Sequence, residues 1–259
     1  MDERELQKAL ASIPLGGFRY FQSLGSTNDE GLAWAAQGAP DLSLVAADEQ
    51  TAGRGRSGRK WFTPPGTALA FSLILRPTEP ERLHPARTTG LGALALSDCL
   101  RGRGLVAQIK WPNDVLANGK KVAGILVESV WTAEALDSSV LGMGVNVTAA
   151  SVPPPDRLSF PATSLEDELG HAVGRTELLA DVLKELINWR SRLGTDGFVR
   201  AWEERLAYRG QQVAIVRDDR GSLKGELLGL EPDGSLRVQE AGGKIHNVRF
   251  GEVHLRPLV

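Results

Sequence analysis

The sequence predicts an α+β fold: a large domain of helices packed on a β-sheet, followed by a small β-barrel. Three observations carry this reading. Strand-like and helix-like runs are interspersed from Phe18 to Ala207. Thr67–Arg76 (TALAFSLILR) is a continuous apolar run, as expected of a strand at a sheet centre. From about Gly210 the helical period stops, and short β-rich runs alternate with Gly, Asp and Pro turns. The chain of 259 residues therefore divides into 1–209 and 210–259, and its 42% apolar content suffices for one large and one small core.

Residues 2–10 read as a short amphipathic helix and Phe18–Leu24 as a strand. Thr27–Gln37 reads as a helix capped by Ser26 or Thr27, with Asp29 and Glu30 in its first turn. Leu42–Asp48 is an apolar strand, and Gln50–Lys60 then breaks all periodicity. After the run at 67–76, residues 85–102 form a helix of small and apolar residues suited to packing on a sheet. Ala107–Trp111 and Lys121–Ser129 are strands with Ala117–Lys120 as the turn between them, and Val140–Val147 is another. Three consecutive prolines, Pro153 to Pro155, mark 151–160 as a loop. Leu178, Leu179, Val182, Leu183, Leu186 and Ile187 place a helix over 176–193, and 198–207 forms one more. The last segment carries strands at 212–216, 223–230, 236–239 and 244–250, with Glu231–Ser235 (EPDGS) a turn.

Composition excludes several function classes. Thirty basic residues against 32 acidic ones give a net charge of −2, so any phosphate attraction must come from a local cluster. Cys99 is the only cysteine and lies in an apolar stretch, where it reads as a buried structural thiol; a reducing cytoplasm suits the chain. The acidic start MDERELQKAL has no apolar signal core, and no run reaches the roughly 18 apolar residues of a membrane span. The four histidines sit at no metal-ligand spacing. There is no GxxxxGK[ST] and no dinucleotide fingerprint after a strand.

Four segments carry chemistry. Gly53-Arg-Gly-Arg-Ser-Gly-Arg-Lys60 alternates glycines, which let backbone approach a ligand, with forked cationic donors for phosphate or carboxylate. Alone it reads equally as a solvated turn or a nucleic-acid contact. Having no apolar face, it is expected to be mobile and to order around a ligand. Lys110-Trp-Pro-Asn-Asp114 sets Lys, Asn and Asp at a strand end, and Lys121 opens the next strand beside Gly124. Ser26-Thr27-Asn28 is a helix cap whose hydroxyls and free N–H groups can also meet a polar ligand. Gly142-Met-Gly-Val-Asn146 is a strand with one bare face, as a flat ligand lying on it would require. Together these point to phosphate chemistry run by charge and positioning, without a covalent nucleophile.

In this order, with Gln50 and Trp61 flanking the loop and Val122-Ala-Gly-Ile-Leu-Val-Glu128 following Lys121, the segments resemble the biotin–protein ligase family. The resemblance runs from about Phe18 to the C-terminus. It implies a central mixed sheet packed with helices, similar to the class II aminoacyl-tRNA synthetase core, plus a C-terminal SH3-like barrel. It implies an enzyme that makes biotinyl-5′-AMP from biotin and ATP with Mg²⁺, then biotinylates a lysine of a biotin carboxyl carrier protein.

By that resemblance Ser26, Thr27, Asn28 and Gln50 would hold the biotin head, with backbone from Gly53, Arg54, Gly55 and Arg56. Lys121 would meet the biotin carboxylate and the α-phosphate. Arg54, Arg56, Arg59 and Lys110 would surround phosphates, and Lys121, Arg54 and Lys110 form the catalytic set. Trp61 and Asn146 would settle the adenine, with Asn113 and Arg256 completing the nucleotide site. The metal ligands stay open, with Asp114 a candidate. Ser57 stands where some members carry a further arginine. The rival readings are a lipoate or octanoate ligase or transferase of the same fold, and a biotin-sensing DNA-binding regulator. The second is disfavoured, because only 17 residues precede Phe18. The expected protein is cytoplasmic, monomeric or homodimeric, and binds neither DNA nor membrane.

Overall fold

A computed structural model describes residues 1–133, 135–217, 221–249 and 253–257, the side chains of 217 and 253–257 excepted. Phe250, which ends the strand expected at 244–250, and the Arg256 side chain lie outside the described residues.

Helix α1 (Glu3–Leu10) is capped by Asp2, whose carboxylate accepts from the Arg4 and Glu5 N–H groups. Strand β1 (Gly17–Leu24), helix α2 (Thr27–Ala36) and strand β2 (Ser43–Gln50) follow, then strand β3 (Ala68–Leu75), which is buried along its whole length. The short helix α3 (Glu79–Leu83) was not expected; Thr78 and Glu81 close it with a reciprocal capping box. Helix α4 (Arg87–Gly102) lays its small and apolar residues on the sheet. Strands β4 (Ala107–Lys110), β5 (Asp114–Ala117), β6 (Lys120–Thr132) and β7 (Ala135–Asn146) complete the sheet. Helices α5 (Leu165–Leu169), α6 (Arg175–Arg190) and α7 (Asp196–Glu204) lead to the last segment.

The first seven strands form one sheet in the order β1-β2-β3-β7-β6-β5-β4. Only β1 and β2 run parallel, so the sheet is mixed, as the resemblance implied. One expectation needs correction. The turn at 117–120 joins β5 to β6, not β4 to β6. Pro112 ends β4 but leaves room for the four-residue β5, which pairs back on it with Lys110 opposite Asp114. That register sets the two residues side by side.

The C-terminal strands β8 (Gln212–Arg217), β9 (Gly221–Leu230), β10 (Leu236–Gln239), β11 (Ile245–Val248) and β12 (Val253–Pro257) form a second sheet in the order β11-β10-β9-β8-β12. β12 was not anticipated from the sequence. The turn between β9 and β10 is tied to the larger domain by two side chains, one at the start of α4 and one just after β4. Buried Arg87 donates to the Pro232 carbonyl through Nε (2.9 Å) and Nη2, and through Nη1 to that of Leu193 at 2.7 Å. The fully buried Trp111 indole donates to the Gly234 carbonyl at 3.1 Å.

Candidate active site

A cleft of about 1040 Å³ opens over β6 and β7. Ser26, Thr27 and Asn28 border it at the start of α2, with Gln50 beside them; Gly53 to Arg56, Arg59 and Trp61 form one wall. Lys110, Asn113, Asp114, Lys121 and Asn146 also line it. The structure thus brings together every candidate except Arg256, whose strand it places but whose side chain it does not describe.

The strongest electrostatic feature is a carboxylate between two ammonium groups. Asp114 takes Lys121 Nζ at 2.6 Å on Oδ1 and Lys110 Nζ at 3.3 Å on Oδ2. Burial pushes the Asp114 pKa up, but Lys121 and Lys110 outweigh it and hold the carboxyl below its ordinary range. One negative charge against two positive leaves this corner cationic. Lys110 also lies 4.7 Å from the Phe160 ring centroid, and Lys121 lies 5.3 Å from that of Trp61. Asp114 does not fit the role of metal ligand, because an ammonium group occupies each oxygen. Among the described residues no group of three His, Cys, Asp or Glu side chains could hold a metal.

The cationic loop carries its own ladder, where the sequence suggested none. Trp61 N–H donates to the Gly53 carbonyl at 2.8 Å, and Gly55 N–H to that of Arg59 at 2.7 Å. Ser57 sits in the left-handed region (φ 54°), which a short residue at the loop tip tolerates. Arg56 reaches Asn113 Oδ1 at 3.3 Å, and burial lowers its pKa from the ordinary arginine value. Arg54 turns to carboxylates, pairing with Glu128 and with Asp29.

The bare face of β7 is real, but this chain's own side chains fill it. A Cβ at Gly142 would overlap the Asn28 carboxamide, and one at Gly144 the Trp61 indole. The expectation of a face kept open for a flat ligand is corrected to that extent. Trp61 Nε1 is buried with no hydrogen-bond partner. At the head of the cleft, Gln50 Oε1 accepts from Thr27 N–H at 2.9 Å and from Thr27 Oγ1 at 3.1 Å. Ser26 caps α2 without a side-chain hydrogen bond to the helix. Asn146 donates to the Thr163 carbonyl at 3.1 Å.

Sequence reasoning missed three contributors. The proline loop supplies Arg157 and Phe160 to the wall, where its three prolines mark only a loop. Glu128 ends the segment that follows Lys121, and nothing in its local sequence gives it a role. Trp111 is at once a cleft residue and the anchor of the small sheet.

Comparison with known proteins agrees with this architecture. Residues 20–146 match the model of the biotin/lipoate A/B protein ligase family, and residues 209–256 that of the biotin protein ligase C-terminal domain. A biotin–[acetyl-CoA-carboxylase] ligase of Paracoccus denitrificans is 38% identical over 230 residues, covering 85% of this chain and 92% of the relative. A bifunctional ligase/repressor of Bacillus spizizenii is 32% identical over 247 residues, covering 94% of this chain and 76% of the relative. The structure of the Aquifex aeolicus biotin protein ligase in complex with biotin and ATP superposes with a TM-score of 0.78 at 29% identity, covering 93% and 99% of the two chains. The chain belongs to the biotin–protein ligase family.

Proposed function

We infer that the chain is an ATP-dependent ligase that makes biotinyl-5′-AMP and passes the biotinyl group to an acceptor lysine. The observation that carries this is the Lys110–Asp114–Lys121 cluster in a cleft fit for an extended ligand. In the first step a biotin carboxylate oxygen attacks the α-phosphorus, the bond to the bridging oxygen breaks, and pyrophosphate leaves. Two anions must meet, and charge grows on the phosphoryl oxygens. Lys121 and Lys110, held in place by Asp114, supply a fixed positive field there. Arg56 and Arg59 extend it along the phosphates. In the second step the acceptor amine attacks the acyl carbon and AMP leaves. The adenylate is a mixed anhydride, so the loop wall must exclude water between the steps.

We assign the biotin head to Ser26, Thr27 and Gln50, and the nucleotide to Trp61, Asn113, Asn146 and Arg256. Mg²⁺ enters the proposal with the nucleotide's phosphates, since among the described residues no cluster of carboxylates could hold it alone. The match at 209–256 favours biotin over lipoyl chemistry. The proposed acceptor is a carboxylase carrier domain, in line with the name of the Paracoccus relative. The division at residues 209/210, a cytoplasmic location and a monomeric or homodimeric state complete the proposal. No helix among the described residues is long and apolar enough to cross a membrane. Duplex DNA is left out, because the net charge is −2 and Arg54, in the densest cationic segment, faces two carboxylates.

The test is transfer of biotin to a purified carrier domain, read by avidin blot. Labelling that needs both ATP and the acceptor lysine supports the reading. Absence of labelling with ATP, biotin and Mg²⁺ all present overturns it.

A further inference from the structure

The cationic loop is tied to β6 by one side chain, Arg54, which pairs with Glu128. Arg54 meets this carboxylate two-pronged, Nη1 to Oε1 at 2.9 Å and Nη2 to Oε2 at 2.7 Å. The same Nη2 lies 2.6 Å from Asp29 Oδ1. The fork-on-fork geometry is the one that fixes orientation as well as distance. Hydrogen bonding to Glu128 is the main reason the Arg54 pKa rises above its ordinary value, although partial burial opposes it.

Glu128 has a second partner. Its Oε2 accepts from Asn28 Nδ2 at 2.8 Å, and Asn28 Nδ2 also reaches the Leu126 carbonyl at 3.2 Å. Asn28 Oδ1 accepts from Ser72 Oγ at 2.6 Å, and Ser72 Oγ lies 2.8 Å from Thr27 Oγ1. Thr27 in turn holds Gln50, whose Nε2 donates to Thr63 Oγ1 at 3.2 Å. An unbroken polar chain thus runs from the loop's first arginine, through β6, to the hydroxyl and carboxamide groups at the head of the cleft. Asn28 is only 3% exposed, and both its amide oxygen and its amide nitrogen are already engaged. It and Arg54, both of which line the cleft, are thereby coupled through Glu128.

We propose that Glu128 is a positioning residue that latches the Gly53–Lys60 loop over the cleft and, through Asn28, keeps the biotin-head groups in register. Arg54 is the movable half of the latch. Its other half stands on the long β6–β7 hairpin, opposite Val140. Opening the latch exposes the cleft to water and carries Arg54 away from its place in the cleft wall, while Lys110, Lys121 and the head groups Thr27 and Gln50 keep their own partners. The latch itself is a statement about loop position; its kinetic consequences rest on the ligase reading.

The experiment compares the parent with Glu128→Gln, which keeps shape and an acceptor for Asn28 but loses the charge that holds Arg54. Thermal melting of both establishes that the variant folds, and Glu128→Asp serves as a second, charge-retaining variant. The first readout needs no activity: cleavage by a trypsin-like protease at Arg54, Arg56 and Arg59 in the absence of substrates. Faster cutting of the Gln variant by about tenfold is expected, from loss of a charge-assisted pair. The second readout is kinetic. The Michaelis constant for biotin rises by about tenfold while the turnover number stays within about threefold, the pattern of lost positioning. The fraction of biotinyl-AMP found free in solution rises, and Glu128→Asp restores part of each effect. Equal cutting of parent and variant overturns the latch, as does a fall in turnover with the Michaelis constant unchanged. If the parent makes no biotinyl-AMP, the ligase reading fails, and the cleavage comparison still decides the latch.

Discussion

Lys121 Nζ lies 2.6 Å from Asp114 Oδ1, and the other oxygen of that buried carboxylate is taken by Lys110. Residue 110 ends β4, residue 114 begins β5 and residue 121 stands at the start of β6, so three adjacent strands contribute one residue each. Neither lysine is a free surface cation. Each is aimed by the carboxylate.

Asp114→Asn removes the one negative charge between two ammonium groups. Breaking a buried pair from one side leaves uncompensated charge, and denaturant unfolding is expected to show a loss of about 3 kcal/mol. The sign of its pH dependence follows from the lowered Asp114 pKa. A carboxyl depressed in the folded state contributes stability that is complete above its ordinary value of 3.8 and is lost as pH falls through the folded value. The gap between parent and variant should therefore stay flat from about pH 8 to pH 5 and narrow only below about pH 4. A gap that closes between pH 7 and pH 6 would assign it to another group.

Gly142→Ala forces a Cβ into the Asn28 carboxamide, and Gly144→Ala forces one into the Trp61 ring. The first disturbs a buried network with little slack and should cost about 1–3 kcal/mol in a denaturant melt. The second meets a ring on the loop, which can shift. Its effect is expected in biotin and ATP binding, measured by titration calorimetry, with a smaller change in stability. Reversed magnitudes would show that Trp61, not Asn28, is the fixed element.

Arg87→Met strips the Pro232 and Leu193 carbonyls of their shared cation, and an expected loss of about 3 kcal/mol reflects charge-assisted bonds in a buried site. Trp111→Phe removes the bond to Gly234 and leaves a void in a fully buried position, for an expected loss of about 2 kcal/mol. Its larger effect is expected on activity, because Trp111 sits between Lys110 and the Pro112 turn. Assays of both variants for stability and for biotin transfer separate the two roles.

The large sheet, its buried β3 and the cap at Ser26–Thr27 were legible because each rests on local pattern: an apolar run, a 3.6-residue period, a capping residue. The motif residues were legible as a set, and the cleft gathers them. The partners of those residues were not legible. The partner of Arg54 is hidden in the sequence because Glu128 is 74 positions away, and no local signal pairs them. Gly142 and Gly144 showed that something lies on β7 but not that Asn28 and Trp61 do. The short β5 was hidden because Pro112 and the Asn118-Gly119 turn crowd its four residues from both sides. The five-residue α3 was hidden by Pro80, which sits in its first turn, where proline is tolerated.

The most direct test of the account follows formation of biotinyl-AMP from biotin and ATP labelled at the α-phosphate, for the parent and for Lys121→Ala. The parent should form the labelled adenylate only when biotin is present. Loss of the Lys121 ammonium group should slow it by at least about 100-fold, the usual cost of one charge contact in the transition state, of about 3 kcal/mol. Adenylate formation by Lys121→Ala at the parent's rate, or none by the parent with both substrates saturating, would contradict it.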